Sequence, residues 1–466
     1  MIPGARRVAA AALATWLCLL GAAAVGADPP VRLGPEEMRK AAVLSLRAGR
    51  PDRALVFSDA LLARDGDDRN AHLIRARALR DLGRPVEAKA SARAAWALAD
   101  SKKERFATAM VMAQALASAG QRTRAQWWLR RAVQEAPSEA LADRAIRDFK
   151  YVRARNPWLT RLSFSVTPDS NINNGSSSRS SFLNYEISRL LFGAPVEYEL
   201  GGTALALPGV EYALGIDTRY RFAESPRRAH DLVFSADLRH YTLSSEAKRI
   251  APGAKGSDFA FASYTLGYAT RGLNLEDRGE YTVSADLGQS WYSGSEYARF
   301  ARLSLGQSYS LTPATRVQAA VSGERQIGIT TNDLDTLRAD VSVSRILPSG
   351  ALVRLIASAA TATSPVASEE FTGLGLRAQL LLARPVLGAE FVFELGYRAR
   401  DYDVSPHGPD GRHDRRLGAD VTLIFSDIDY YGFNPTMTIY GSVTNSNIGL
   451  YDADRSGINF GIQSAF

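Results

Sequence analysis

The sequence predicts a two-part α + β chain: helical repeats first, then a closed antiparallel β-barrel of the membrane type. Three observations predict it. A Gly-centred pattern recurs in an Ala-, Leu- and Arg-rich stretch, a two-residue alternation takes over from Trp158, and the last alternating segment ends on Phe466. Composition sets the outer limits. The 466 residues are 46% hydrophobic and 23% charged, with one Cys. That excludes wholesale disorder, an internal disulfide and a Cys-rich zinc site. Beyond Ala27 no apolar run approaches the roughly 20 residues a spanning helix requires. Helical membrane proteins are excluded, whereas barrels are not, because alternating strands escape hydropathy windows.

Residues 1–27 read as a secretory signal peptide. Arg6 and Arg7 form the charged start, residues 8–25 are rich in Ala and Leu, and Val25-Gly26-Ala27 places small residues before a cut at Asp28. A lipoprotein signal using Cys18 fails, because Thr15-Trp16-Leu17 puts a bulky Trp where small residues are needed; an uncleaved anchor helix is the other alternative. Cleavage leaves a chain without cysteine, exported into a Gram-negative envelope. Residues 28–157 carry 26 Lys+Arg against 16 Asp+Glu, and the remainder from Trp158 carries 28 against 33. Charge and composition both change near Asn156-Pro157, so residues 28–157 are expected to form a periplasmic repeat domain and residues 158–466 an outer-membrane barrel.

In the first part, Ala48-Gly49-Arg50-Pro51 returns as Leu82-Gly83-Arg84-Pro85 after 34 residues, and as Ala119-Gly120-Gln121-Arg122 after 37 more. A 34-residue period with Gly between two helices is the tetratricopeptide signature. Gly49, Gly83 and Gly120 supply the positive-φ turns, and Ala54, Ala88 and Ala125 let paired helices approach. The longer spacing fits the polar insert Ser101-Lys102-Lys103-Glu104, and Pro137 falls where a repeat closes. One repeat cannot bury its own apolar face, so about three stacked units are the practical minimum. Trp96, Trp127 and Trp128 read as packing residues. The arginine excess reads as a solvated face or a docking surface for an acidic partner, not as a nucleic-acid stripe.

From Trp158, apolar residues sit at every second position. Tyr281, Val283, Ala285 and Leu287 alternate with Thr282, Ser284 and Asp286; Phe391, Phe393, Leu395 and Tyr397 alternate with Val392, Glu394 and Gly396. Turn signals segment this half into about fourteen strands, starting near Trp158, Gly209, His230, Asp258, Arg278, Glu296, Thr315, Asp333, Gly350, Glu370, Val386, His413, Thr436 and Asp454. A soluble β-sandwich also alternates. Against it stand strands longer than the usual five or six residues and the placement of every tyrosine except Tyr151 in this half, as an aromatic girdle requires. Short Pro-bearing turns also alternate with longer polar connections. Ile458, Phe460, Ile462 and Phe466 share one face of the last segment, the signal expected to engage the barrel-assembly machinery.

No nucleophile elbow, HExxH helix, phosphate loop or calcium loop occurs. The five histidines are scattered; His407 and His413 flank one loop that admits a metal only as a minor reading. The expectation is a chain that is not an enzyme and takes no cofactor. A short tetratricopeptide array, Asn156-Pro157-Trp158 opening the first strand, Pro168-Asp169-Ser170-Asn171-Ile172-Asn173 after it, and about fourteen strands ending in Phe together resemble the surface lipoprotein assembly modifiers, the type XI secretion proteins. The resemblance spans essentially the whole mature chain. It implies export of a cargo protein, a surface lipoprotein or a small secreted carrier, across the outer membrane. Asn171 and Asn173 read first as turn-makers, with direct cargo contact as the alternative. A polysaccharide-export barrel and a diffusion porin are the competing functional expectations.

Overall fold

The computed structural model describes residues 32–464. The signal-peptide reading and Phe466 lie outside the described residues. The chain divides into two compact units, one ending at Gly120 and the other beginning at Gln121.

The first unit holds α1 (Pro35–Arg47), α2 (Pro51–Arg64), α3 (Arg69–Asp81), α4 (Pro85–Ala97) and α5 (Lys102–Ser118). Pro51 and Pro85 open α2 and α4, where the missing N–H has no helical partner to lose. Gly49, Gly83 and Gly120 have φ of +67°, +72° and +74°, with nothing within 4 Å of an added Cβ. Backbone conformation, not space, therefore requires glycine at these turns. The recurring alanines Ala54 and Ala88 are buried. Ala54 packs with Ala42, Ile74 and Ala78, and Ala88 with Leu79 and Ala115, the small-residue contacts that let helix pairs stack. The insert begins a longer helix: Ser101 Oγ accepts from the Glu104 N–H at 3.3 Å, and the Glu104 carboxylate accepts from the Ser101 N–H at 3.2 Å, a reciprocal cap.

Asp68 joins two of these helices. It caps α3 by accepting from the Ala71 N–H at 3.0 Å and binds Arg39 of α1 through Nε at 3.0 Å and Nη2 at 2.7 Å. Burial works to raise its carboxyl, but the hydrogen bonds from Arg39 and the cap outweigh that and hold it below its ordinary value of 3.8. A depressed carboxyl stabilises the fold above its unfolded value and loses that contribution as pH falls through the folded one. Asp68→Ala removes cap and ion pair together and is expected to cost about 2 kcal/mol. Asp68→Asn keeps the cap and should flatten the loss of helical circular dichroism below about pH 4. An unchanged acid limb in Asp68→Asn would contradict the assignment.

The second unit begins with α6 (Arg122–Gln134) and α7 (Glu139–Arg155), followed by β1 (Trp158–Asp169). The compositional change at Asn156-Pro157 thus coincides with the change from helix to strand, while the division into compact units falls before α6. A long connection follows β1, carrying β2 (Ser180–Phe182), α8 (Tyr185–Phe192) and β3 (Glu197–Glu199). The remaining elements are β4 (Gly209–Ser225), β5 (Arg228–Leu243), α9 (Ser245–Ile250), β6 (Phe261–Asn274), β7 (Gly279–Tyr292), β8 (Ser295–Thr312) and β9 (Thr315–Gly328). After them come β10 (Leu334–Ile346), β11 (Leu352–Thr363), β12 (Phe371–Leu381), β13 (Glu390–Tyr402), β14 (Arg412–Ile424), β15 (Phe433–Ser446) and β16 (Ala453–Ser464).

β1 and β4–β16 close into one antiparallel barrel of fourteen strands, each paired to its sequence neighbour, with β16 returning to β1. Closure leaves no unpaired edge, the condition for a sheet to stand in lipid. Leu287 is 67% and Leu374 66% exposed on the outer face, while Asp286, Arg302, Glu324 and Arg377 alternate with such residues and face inward. Apolar outside and charged inside is the arrangement of an outer-membrane barrel, the reverse of a soluble one. Aromatic residues collect outside near both rims. Trp158 lies 4.6 Å from Tyr220 at the rim where β1 begins, and Tyr264 lies 5.7 Å from Trp291 toward the other. No helix among the described residues is long and apolar enough to cross a membrane.

Candidate functional site

Four places carry chemistry: a groove in the helical unit, the seam that closes the barrel, the rim beneath α6 and the lumen. The groove lies between α1 and α3 and has a volume of about 620 Å³. Val43, Leu44, Leu73 and Ile74 form its apolar floor, with Lys40 and Arg47 beside them. Such a surface fits an extended or helical segment with apolar anchors and acidic flanks.

The motif residues meet at the seam. Asp169 is the last residue of β1 and is 5% exposed. Its carboxylate accepts from Arg455 Nε at 2.6 Å, from the Tyr440 hydroxyl and from the Asn171 N–H at 2.8 Å. Asn171 is fully buried; its amide donates to the Gly175 and Asp454 carbonyls at 2.8 and 3.2 Å and accepts from the Gly175 N–H at 2.9 Å. Asn173 donates to the Thr203 and Leu205 carbonyls, each at 2.9 Å, and accepts from the Leu207 N–H at 2.9 Å. The Ser170 N–H donates to the Ser456 carbonyl at 2.9 Å. Pro168 lies on β1 opposite Val210, its carbonyl 2.6 Å from where a Cβ on Gly457 would sit, and Ile172 packs with Leu207 and Tyr241. The cluster ties the start of the long first connection across the join of β1 and β16. Both asparagine amides are occupied by backbone: Asn171 closes a local turn onto Gly175, whereas Asn173 bonds Thr203, Leu205 and Leu207, 30 to 34 residues away.

Phe460 and Ile462 face outward on β16, with Phe460 opposite Val166 of β1 and Met437 of β15. Trp127 departs from the packing expectation: it is exposed, because α6 turns Ala125, Leu129, Arg130 and Ala132 inward instead.

Arg130, the charged member of that set, carries no motif signal in the sequence. It sits 9% exposed between two rings, its guanidinium carbon 4.8 Å from the Phe149 centroid and 4.4 Å from that of Phe433. It donates to the Tyr431 and Gly432 carbonyls at 3.0 and 2.7 Å and to Ser464 Oγ at 2.8 Å. Burial and the charge of Arg153 push the guanidinium down to about 10, against the pull of Asp429, so it stays charged at neutral pH. The helix pair is thereby fixed to the connection between β14 and β15. Arg130→Ala is expected to weaken that attachment by about 2 kcal/mol. Limited proteolysis should cut earlier within residues 121–157, with the heat-modifiable migration of the barrel kept; an unchanged cutting rate would refute the clamp.

The lumen contains a cavity of about 780 Å³ lined by strands β9–β15. Its charges are partly paired: Arg338 with Asp340 at 2.7 Å, and Arg377 with Glu394 at 3.0 Å. No group of three or more His, Cys, Asp or Glu able to hold a metal occurs among the described residues.

No protein-family model matches the chain, and no curated protein does. Solved structures resemble its parts. The first tetratricopeptide domain of human RPAP3 is 16% identical over 26% of this chain and 97% of its own, with a TM-score of 0.23. The type III secretion translocator chaperone SycD of Yersinia enterocolitica is 18% identical over 26% of this chain and 83% of its own, with a TM-score of 0.24. An outer membrane channel from Pseudomonas putida F1 is 9% identical over 65% of this chain and 95% of its own, with a TM-score of 0.32. At these scores nothing about ligand, cargo or activity passes to this chain.

Proposed function

We propose that the chain is a non-enzymatic outer-membrane export factor that moves a cargo protein, a surface lipoprotein or a small secreted carrier, to the cell surface. In this reading the helical repeats stand in the periplasm and receive the cargo, and the barrel in outer-membrane lipid provides its exit or its release. The observation that carries the reading is the join between the two chemistries. A tetratricopeptide-type array leads into α6 and α7, and Arg130 holds that pair to the barrel rim by three hydrogen bonds. A diffusion channel has no use for a helix pair clamped to its rim. The apolar, Lys- and Arg-flanked groove supplies the chemistry for capture, and the resemblance to the surface lipoprotein assembly modifiers points the same way.

The test is surface display of a protein encoded beside this gene, in cells carrying the full chain or a chain lacking residues 35–120. Display should fall to background in the deletion, and Lys40→Glu with Arg47→Glu should lower it while the barrel still assembles. Unchanged display in both would remove the cargo reading. A solute channel is the second reading, favoured by the polar lumen cavity; steady ohmic conductance with normal cargo display in the deletion would select it.

A further inference from the structure

β13 and β14 lay three lumen-facing residue pairs side by side. Glu394 stands opposite Asp420, Gly396 opposite Gly418, and Arg398 opposite Arg416. Like charges directly opposite each other on a sheet repel, so each charged rung requires something of the other sign. Glu394 has it, in Arg377 at 3.0 Å, with the Gln379 amide at 2.6 Å. The arginine rung does not. Arg416 donates only to Ser442 Oγ at 2.9 Å, and Arg398 makes no hydrogen bond or ion pair among the described residues. The carboxylates of the same ladder lie four residues along the strand, about 13 Å away. The next acid toward the rim, Asp414, is already held by Arg412 at 2.6 Å.

The glycine rung matters here. Between the arginines and the carboxylates the wall carries no side chain, so the space before Arg398 and Arg416 stays open into the cavity of about 780 Å³. Arg354 lines the same cavity, and its buried Nε has no hydrogen-bond partner. Three guanidinium groups with unused or partly used donors thus face one open volume.

We infer that Arg398 and Arg416 form an anion-binding site in the lumen for a solute carrying a carboxylate or phosphate group, with Arg354, two strands away on the rung of Glu394, adding positive charge to the same cavity. Planar guanidinium forks match such oxyanions in two-point contacts. An anion between them turns the repulsion of the rung into attraction.

The experiment uses the purified full-length chain, with two readings. In the first, inorganic phosphate is titrated into the detergent-solubilised protein at constant ionic strength and binding is followed by calorimetry. Saturable binding is expected, weakened about tenfold by Arg398→Gln or Arg416→Gln and kept within a few-fold by Arg398→Lys. In the second, the zero-current potential is measured across a planar bilayer in a KCl gradient. A preference for chloride that shrinks in the Arg398→Gln/Arg416→Gln protein is expected. Heat-modifiable migration confirms that each variant has assembled. Absence of phosphate binding by the unaltered chain overturns the site, as does equal binding by the double variant. A cation preference, or a chloride preference indifferent to both substitutions, overturns it too. If the bilayer carries no current, the phosphate titration alone decides.

Discussion

Replacing Asp169 with alanine is expected to destabilise the closed barrel by about 3–5 kcal/mol, the cost of stripping one partner from a buried charge pair. The carboxylate holds Arg455 through Nε and Nη2, both at 2.6 Å, together with the Tyr440 hydroxyl and the Asn171 N–H. Without it, Arg455 keeps Glu211 at 3.9 Å as its nearest acid. The Tyr440 hydroxyl and the Asn171 N–H lose their acceptor as well. The loss falls at the join of β1 and β16, where closure of the sheet depends on two strands from opposite ends of the chain. The measurement is the urea midpoint of the heat-modifiable band in detergent, with protease access to residues 170–208 as the local reading. Asp169→Asn retains an acceptor for the Asn171 N–H and should fall between alanine and the unaltered chain. Adding Arg455→Ala to Asp169→Ala should recover part of the loss, because the orphaned charge goes with it. A midpoint unmoved by Asp169→Ala would show that the cluster does not secure the seam.

That cluster also marks where sequence reading stops. Asp169 and Asn171 are legible as turn chemistry, because Asp and Asn bond nearby backbone whatever surrounds them, whereas the bonds of Asn173 to Thr203, Leu205 and Leu207 are not. Nor is the partner of Asp169: Arg455 lies 286 residues away, and no local pattern announces such a pairing. Arg130 is the same case, 301 residues from Tyr431. Strand order was legible because two-residue alternation survives even where ends blur. The expected starts near Gly209 and Thr315 coincide with β4 and β9. Near Val386 the strand starts later than the alternation predicts, since Leu387 and Gly388 turn at positive φ before β13 begins at Glu390. Near Thr436 the strand starts earlier than the alternation predicts, because β15 begins at Phe433 and admits Pro435 near its beginning, where a missing N–H is tolerated. α8 escaped notice because a short helix inside a long connection leaves too few residues to display its period. The arginine rung was hidden for another reason. Arg398 and Arg416 each look like ordinary polar positions of an alternating strand, and only the register sets them face to face.

Two neighbouring residues on β8 put the inside-out character of the barrel to a direct test. Leu303 and Ser304 stand near the middle of the strand. Leu303 is exposed outward between Ala285 and Gly323, and Ser304 faces the lumen between Ser284 and Ser322. Leu303→Arg places a charge in the hydrocarbon layer and is expected to cost about 2–4 kcal/mol of folding into lipid vesicles. Ser304→Arg places the same charge in a wet, serine-lined interior and should stay within about 0.5 kcal/mol. The substitutions add the same group at adjacent positions, so local strand propensity cannot separate them; only the medium on each face can. Equal losses would mean that neither face meets lipid. A larger loss for Ser304→Arg would mean a dry interior, as in a water-soluble barrel, and the channel and export readings would fall together.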